Sequence, residues 1–404
     1  MQDVLHHIHS LMPMQDAARA ACASRSFLNS WICHPNLDFS KDTLGLTENA
    51  CQKDESARVF YSKVDHILER HSGIGVKKLK IQTHSGAKYN FPRSVLLNGS
   101  GDSIQYLHLT NCSFRPTVTF GGLRSLTRLH LCIVRITGDE LGCLLSHSLA
   151  LEKLELKSCN WIVYLKVPCL LQRLNYLLVY SCAKLKVIDN EAPNISNFTF
   201  GGNDTVQLSL GETSQMKNLT MHRCGSVLYA RAELPSSMPN LEALTVHSQT
   251  ERACAPMLCS KFLRLRHLSI ALTGGPFYPA YDYLSLASFF DAAPSLETFN
   301  LDNVSIFADP EDLRQIRELQ HHNLRIVKIT GFSSAKSLIE LTCHVLKSTT
   351  SLHNKSGKCS PLERDILMEG HRAVMAIRRY IEPRVPSTVK LHVLEPCSCH
   401  VVEL

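Results

Sequence analysis

Apolar residues recur along this chain in one nine-place frame. Leu151, Leu154, Leu156 and Cys159 set it, with the spacing apolar-x-x-apolar-x-apolar-x-x-Cys. The frame returns at Ile104, Leu107, Leu109 and Cys112; at Leu174, Leu177, Val179 and Cys182; at Ile195, Phe198, Phe200 and Asn203; and at Met216, Leu219, Met221 and Cys224. Shorter copies stand at Leu126, Leu129 and Leu131; Leu241, Leu244 and Val246; Leu265, Leu268 and Ile270; Leu296, Phe299 and Leu301; and Leu324, Val327 and Ile329. A degenerate copy, Val76, Leu79 and Ile81, precedes them all. Eleven frames that begin 21 to 31 residues apart are too regular for chance. Places four and six alternate with period two, so each frame predicts a strand over places three to seven. Places four and six then face a core, and three, five and seven face away from it.

This frame is that of a leucine-rich repeat, a unit that cannot bury its apolar face without stacking on its neighbours. Parallel strands stacked about 4.8 Å apart would make a curved sheet roughly 50 Å long. The close spacing between Leu126 and Leu265 leaves room only for irregular or single-turn returns, with one or two helical turns over 139–146. Further along, Asp309-Pro310-Glu311-Asp312 predicts a helix start with proline at its first position. Gly274 to Pro279 reads as a turn-rich insertion. Residues 347–358 read as polar loop. Ser360-Pro361-Leu362-Glu363 predicts a capping box, opening a helix to Ile381 with Ile366/Leu367, Val374, Ile377 and Ile381 along its buried side. A strand over 389–393 closes the chain.

Before the repeats the pattern is helical. Val4, Leu5, Ile8 and Leu11 share one face, with Asp3 as N-cap, and Pro13 ends the helix. Residues 14–22 form a second helix and Ser24 caps a third, so three helices occupy the first 40 residues. They are too small to stand alone. The stretch 47–56 reads as loop, followed by a helix on which Phe60, Val64 and Ile67/Leu68 share one face. The pattern D-V-L-x-x-I-x-S-L-M-P-x-x-D-A-A-R-A-A-x-x-S-R-x-F from Asp3 to Phe27 resembles the F-box. That family opens with Leu-Pro-x-Asp, where this chain has Met1-Gln2 before Asp3. His371-Arg372-Ala373, with Pro386-Ser387-Thr388-Val389-Lys390-Leu391, is similar to the C-terminal module of plant F-box/leucine-rich-repeat proteins of the FBD-like class. The resemblance implies an α/β chain in four parts: an F-box-like segment (1–40), a linker and helix (41–75), a leucine-rich-repeat solenoid with its parallel sheet on the concave face (76–335), and an α/β FBD-like C-terminal cap (336–404).

The same resemblance implies a substrate receptor of an SCF-type ubiquitin ligase. Val4, Leu5, Ile8, Leu11, Pro13 and Phe27 would dock a Skp-type adaptor, and through it a cullin-RING ligase. A target protein would lie on the strand face. Tyr176, Leu178 and Tyr180, an aromatic and aliphatic trio on one predicted strand, are the expected contact, beside Lys153, Glu155 and Lys157. A repeat scaffold or decoy that recruits no ligase is the alternative reading. Catalysis by this chain is not expected, because no nucleotide-binding, hydrolase or metalloprotease motif occurs in it.

Composition narrows the picture further. A charge of +7 over 404 residues makes no basic cluster, and the densest basic run, Lys77 to Lys80, reads as a solvated strand face, so no nucleic-acid partner is expected. The N-terminus lacks the pattern of a signal peptide and no window is apolar enough for a membrane span, which points to the cytoplasm or nucleus, or both. The 16 cysteines then read as thiols. Cys112, Cys159, Cys182 and Cys224 are expected in the core at the ninth place. No metal or cofactor is expected: Cys397-Ser398-Cys399-His400 is too tightly spaced for a usual zinc site. His108 with His130, and His222 with His247, are expected as neighbours on the exposed face.

Overall fold

The computed structural model describes residues 2–46, 53–71, 75–83, 89–92, 100–116, 123–211, 213–251, 261–273, 281–303, 313–314, 321, 323–346, 351–355, 364–387 and 389–393. The chain divides into two compact units, Met1–Gln215 and Met216–Leu404.

The first unit opens with α1 (Gln2–Leu11), α2 (Met14–Ala23) and α3 (Arg25–Ile32). α1 stops before Met12-Pro13, as the restriction on the residue preceding proline requires. Asp3 is not its cap, since the helix already includes Gln2. Ser24 holds the N-cap place of α3 in an extended conformation but makes no side-chain cap bond. α2 buries Met14, Ala17 and Ala21, and packs against α3.

β1 (Asn36–Phe39) and α4 (Lys53–Arg70) follow. α4 buries Phe60, Val64 and Leu68, but it begins inside the stretch 47–56 expected as loop. A polar first turn is normal for a helix whose apolar face starts later, so polarity alone misled there.

The remaining strands of this unit are β2 (Lys78–Gln82), β3 (Tyr89–Asn90), β4 (Tyr106–Thr110), β5 (Cys112–Ser113), β6 (Arg128–Cys132), β7 (Lys153–Lys157), β8 (Tyr164–Val167), β9 (Tyr176–Tyr180), β10 (Val187–Asn190), β11 (Asn197–Gly201) and β12 (Gln207–Ser209). β2, β4, β6, β7, β9 and β11 are the frame strands, each occupying places three to seven. They pair in parallel in that order, with β1 joined to the edge of β2. Leu151, Leu154 and Leu156 have no exposed surface, and their counterparts on neighbouring coils are equally buried.

β1 is a further copy of the frame. Leu37 pairs with Leu79 and Phe39 with Ile81, which puts His34 at place one. A histidine, where each of the eleven frames read from the sequence has an apolar residue, hid the repeat. The place is nonetheless buried.

Two features escape the apolar pattern altogether. At place eight, Asn111, Ile133, Ser158 and Ser181 all adopt left-handed backbone, with φ of 54°, 56°, 53° and 55°. Each N–H donates to the place-seven carbonyl of the next coil, that of Cys132, Lys157, Tyr180 and Gly201, at 2.7 to 2.8 Å. The turn leads the chain out of the sheet while keeping its donor satisfied. The returns also differ from expectation: β8, β10 and β12 form a second parallel sheet. β8 and β10 each start thirteen residues after their frame begins, and this equal offset brings the returns into register. α5 (Gly138–Ser146) fills the longer return after β6, closed by a capping box between Thr137 and Glu140.

At the ninth place Cys112, Cys159 and Cys182 are buried, and burial pushes the thiols of Cys112 and Cys159 up to about 12. These sulfurs are packing groups. Cys224 is only half-buried, because Gly225 turns the chain, with a φ of 67°, into a helix at that point.

The second unit contains β13 (Asn218–His222), α6 (Ser226–Ala232), α7 (Leu234–Ser237), β14 (Ala243–Ser248), β15 (His267–Leu272), α8 (Ala287–Ala292), β16 (Thr298–Asn303), β17 (Ile326–Thr330), α9 (Lys336–Leu346), β18 (Ser351–Lys355), α10 (Arg364–Ala376) and β19 (Lys390–His392). β13 to β19 pair in parallel in chain order. β18 lies within the stretch 347–358 expected as polar loop. Its register pairs Leu352 with Val327 and Asn354 with Ile329, so a polar residue occupies place six and breaks the pattern. α10 continues through a π-helical turn in which Ile377 and Ile381 are buried, whereas Val374 is half-buried. The insertion over 274–279, the helix start at 309–312, the capping box at 360–363 and the thiol-rich tail at 397–400 lie outside the described residues.

Among the described residues no helix is long and apolar enough to cross a membrane.

Candidate protein interface

Parallel pairing without slippage turns the outward frame places of the first unit into three rows. Place three runs Lys78, Tyr106, Arg128, Lys153, Tyr176; place five runs Lys80, His108, His130, Glu155, Leu178; place seven runs Gln82, Thr110, Cys132, Lys157, Tyr180. The six residues expected to contact a target therefore sit together on β7 and β9. Lys153 and Tyr180 are exposed, while Tyr176, Leu178, Glu155 and Lys157 are half-buried by their neighbours along the rows.

The middle row is a chain of polar contacts. Asp38 on β1 accepts from Lys80 Nζ at 3.3 Å. His108 lies between the Tyr106 hydroxyl, 3.2 Å from its Nδ1, and the Thr110 hydroxyl, 3.1 Å from its Nε2. Its ring centroid is 4.1 Å from that of His130. His130 Nδ1 meets Glu155 Oε2 at 2.9 Å, and Lys157 Nζ reaches the same oxygen at 3.2 Å. Because an ionised carboxylate only accepts, it holds the proton of His130 on Nδ1. Burial, then the neighbouring His130, draws the pKa of His108 down to about 4. Burial also lowers that of His130, although Glu155 pulls the other way. Both rings are neutral near pH 7.

On the second unit His222 and His247 are register partners on β13 and β14, at place seven. Burial and then His247 lower the pKa of His222 to about 4, and burial lowers that of His247 against the pull of Asp302. Among the described residues no group of three or more His, Cys, Asp or Glu side chains is arranged to hold a metal ion.

The N-terminal helices present a second surface. Val4 is 60% exposed, Ile8 48% and Leu11 72%, and Leu28 on α3 is 46% exposed. Pro13 is exposed, whereas Leu5 and Phe27 are half-buried. Over residues 4–11 of α1 the buried side chain is a polar one. His9 is 1% exposed, with its Nε2 3.0 Å from Ala17 O. It stacks on Phe27 at 5.6 Å and meets His34 edge-on at 5.4 Å. A reading by apolar positions passes over such residues; a histidine at place one of a hidden frame was the signal available.

Comparison with known proteins places these surfaces in context. The family model described as "At1g61320/AtMIF1, LRR domain" matches residues 46–398. The F-box/LRR-repeat protein At3g58940 of Arabidopsis thaliana is 28% identical over 125 residues, 30% of this chain. That match spans about a fifth of the relative's length, 20%. An internalin, InlF of Listeria monocytogenes, is a solved structure of 13% identity that covers 76% of this chain and 90% of its own. Its TM-score of 0.33 is too low to carry weight. Since the family model spans most of the 404 residues, the chain belongs to the leucine-rich-repeat family described as At1g61320/AtMIF1, LRR domain.

Proposed function

We propose that this chain is the target-holding subunit of an SCF-type ubiquitin ligase, with an F-box-like docking segment before its repeats and an FBD-like module after them. The observation that carries this reading is the apolar face of α1. Val4, Ile8 and Leu11 point outward from a helix whose inner side is already packed. All three are already partly buried, so covering each would contribute roughly 1–2 kcal/mol, enough together to help anchor a protein partner. Leu5, Pro13 and Phe27 would border that contact. The similarity to an F-box/LRR-repeat protein supports the same assignment. On the strand face Tyr176, Leu178, Tyr180, Lys153, Glu155 and Lys157 would contact the target. The chain itself would perform no bond chemistry. It would raise the local concentration of a target lysine beside a conjugating enzyme held elsewhere in the complex.

Truncation is a poor test, because a cut at residue 40 removes β1 from the sheet. Surface substitution is cleaner. Full-length protein should retain a Skp-type adaptor in a pull-down, and Ile8→Asp with Leu11→Asp should weaken retention at least about tenfold, as a buried unpaired charge does. Equal retention by both proteins would sink the ligase reading and leave a repeat scaffold or decoy in its place.

A further inference from the structure

Cations on the strand face of the first unit divide into two kinds. Lys80 and Lys157 have carboxylate partners, Asp38 at 3.3 Å and Glu155 at 3.2 Å. The place-three cations Lys78, Arg128 and Lys153 form no ion pair among the described residues. Two of them lie beside tyrosine rings instead: Lys78 Nζ is 5.8 Å from the centroid of Tyr106, and Lys153 Nζ is 5.8 Å from that of Tyr176. Arg128 and Lys153 are register partners on adjacent strands and both are exposed. Like charges about 5 Å apart with no counter-ion repel. The row therefore reads Lys78, Tyr106, Arg128, Lys153, Tyr176: cations and aromatic rings with no carboxylate among them.

We propose that this row is the docking track for an acid-rich, extended segment of a partner protein. Its carboxylates would pair with Lys78, Arg128 and Lys153, and its apolar side chains would lie on Tyr106 and Tyr176. The proposal rests on the reading that the strand face holds a target, and it names the chemistry of the segment held. A peptide fits better than a nucleic acid. Lys80 and Lys157 beside the row are already neutralised by Asp38 and Glu155, so they add no net charge to hold a continuous phosphate backbone. Three free cations also fall short of the roughly 6–10 phosphate contacts that grip nucleic acid. A peptide can set carboxylates against the cations and polar groups against the acids.

The test uses full-length protein and fluorescence anisotropy with three labelled probes. They are a peptide of alternating Glu and Phe, its counterpart of alternating Gln and Phe, and an oligodeoxythymidylate of equal length. The Glu peptide should bind on the order of tenfold more tightly than the Gln peptide at low salt, and the difference should shrink above about 0.1 M ionic strength. Combined Lys78→Gln, Arg128→Gln and Lys153→Gln should abolish the preference. Lys166→Gln with Lys217→Gln, cations already paired with Glu191 and Glu242, should leave it intact. Equal binding of the two peptides, a preference that survives the triple change, or tighter binding of the oligonucleotide would overturn the proposal. The broader reading is scored separately, by proximity labelling in cells with Tyr176, Leu178 and Tyr180 changed to Ala. If labelled partners depend on those three while the Glu preference is absent, the face holds a target and only the acidic-segment proposal falls.

Discussion

His222 and His247 lie face to face, ring centroids 4.0 Å apart and planes 7° from parallel. Two imidazoles in van der Waals contact cannot both be charged without strong repulsion. Nuclear magnetic resonance titration should place the His222 midpoint near 4, and His247→Asn should raise it partway, because burial remains when the neighbouring charge is gone. An unmoved midpoint would mean that the stack does not couple the two rings.

His34 links protonation to folding. Burial, then His9 and His71, holds its pKa down to about 4 against an ordinary value of 6.5. The unfolded chain therefore binds a proton in this window that the folded chain does not. Stability is complete above about pH 6.5 and is lost as pH falls toward 4. His34→Leu restores the residue type that the frame carries at place one. The variant should show a flatter dependence of Tm on pH across that interval, and a slope equal to that of the unmodified chain would refute the assignment.

Ile133 is the strained member of the left-handed place-eight series. A β-branched residue at φ 56° is a steric outlier, and its side chain is 53% exposed, so little burial would be forfeited by replacing it. Asn already occupies the same place in the preceding coil, at Asn111. Ile133→Asn should stabilise the protein by about 1 kcal/mol, seen as a higher denaturation midpoint at constant slope. The bond from the Ile133 N–H to Lys157 O, 2.8 Å, is backbone and would persist.

In the second unit an exposed arginine, Arg314, pairs with a buried carboxylate, that of Glu340. Glu340 is 1% exposed and accepts from the backbone N–H of Arg314 at 2.7 Å and from its Nε at 2.8 Å, while the same guanidinium reaches Asp282 at 2.9 Å. Arg314→Met removes the cation from the buried Glu340 carboxylate; because the guanidinium is 47% exposed and the backbone N–H bond persists, the cost should be about 1–2 kcal/mol. Adding Glu340→Met should recover part of that loss. A double variant no more stable than the sum of the two single changes would contradict the coupling.

The repeat was legible because each coil must bury the same three places against its neighbours. The copies that went unread are those where a polar residue stands in that triad. His34 hid β1, and Asn354 hid β18. Neighbouring coils complete both strands through backbone pairing, which does not depend on side-chain type. Residues 53–56, polar in sequence, are helical for a related reason: polarity marks the outside of an element as readily as the absence of one.

Sequence alone determined the strand places, the inward and outward faces, and hence which residues stand in the three rows. Periodicity carries that information, since a strand has only two faces. Tertiary structure decided which cations of those rows are neutralised. Asp38 reaches Lys80 across 42 positions of chain, and Glu155 reaches His130 across 25, only because parallel stacking without slippage makes them neighbours. Place three is left positive and unpaired by the same stacking. Net charge summed along a sequence cannot reveal this, because Coulomb energy follows distance in space and the register sets that distance.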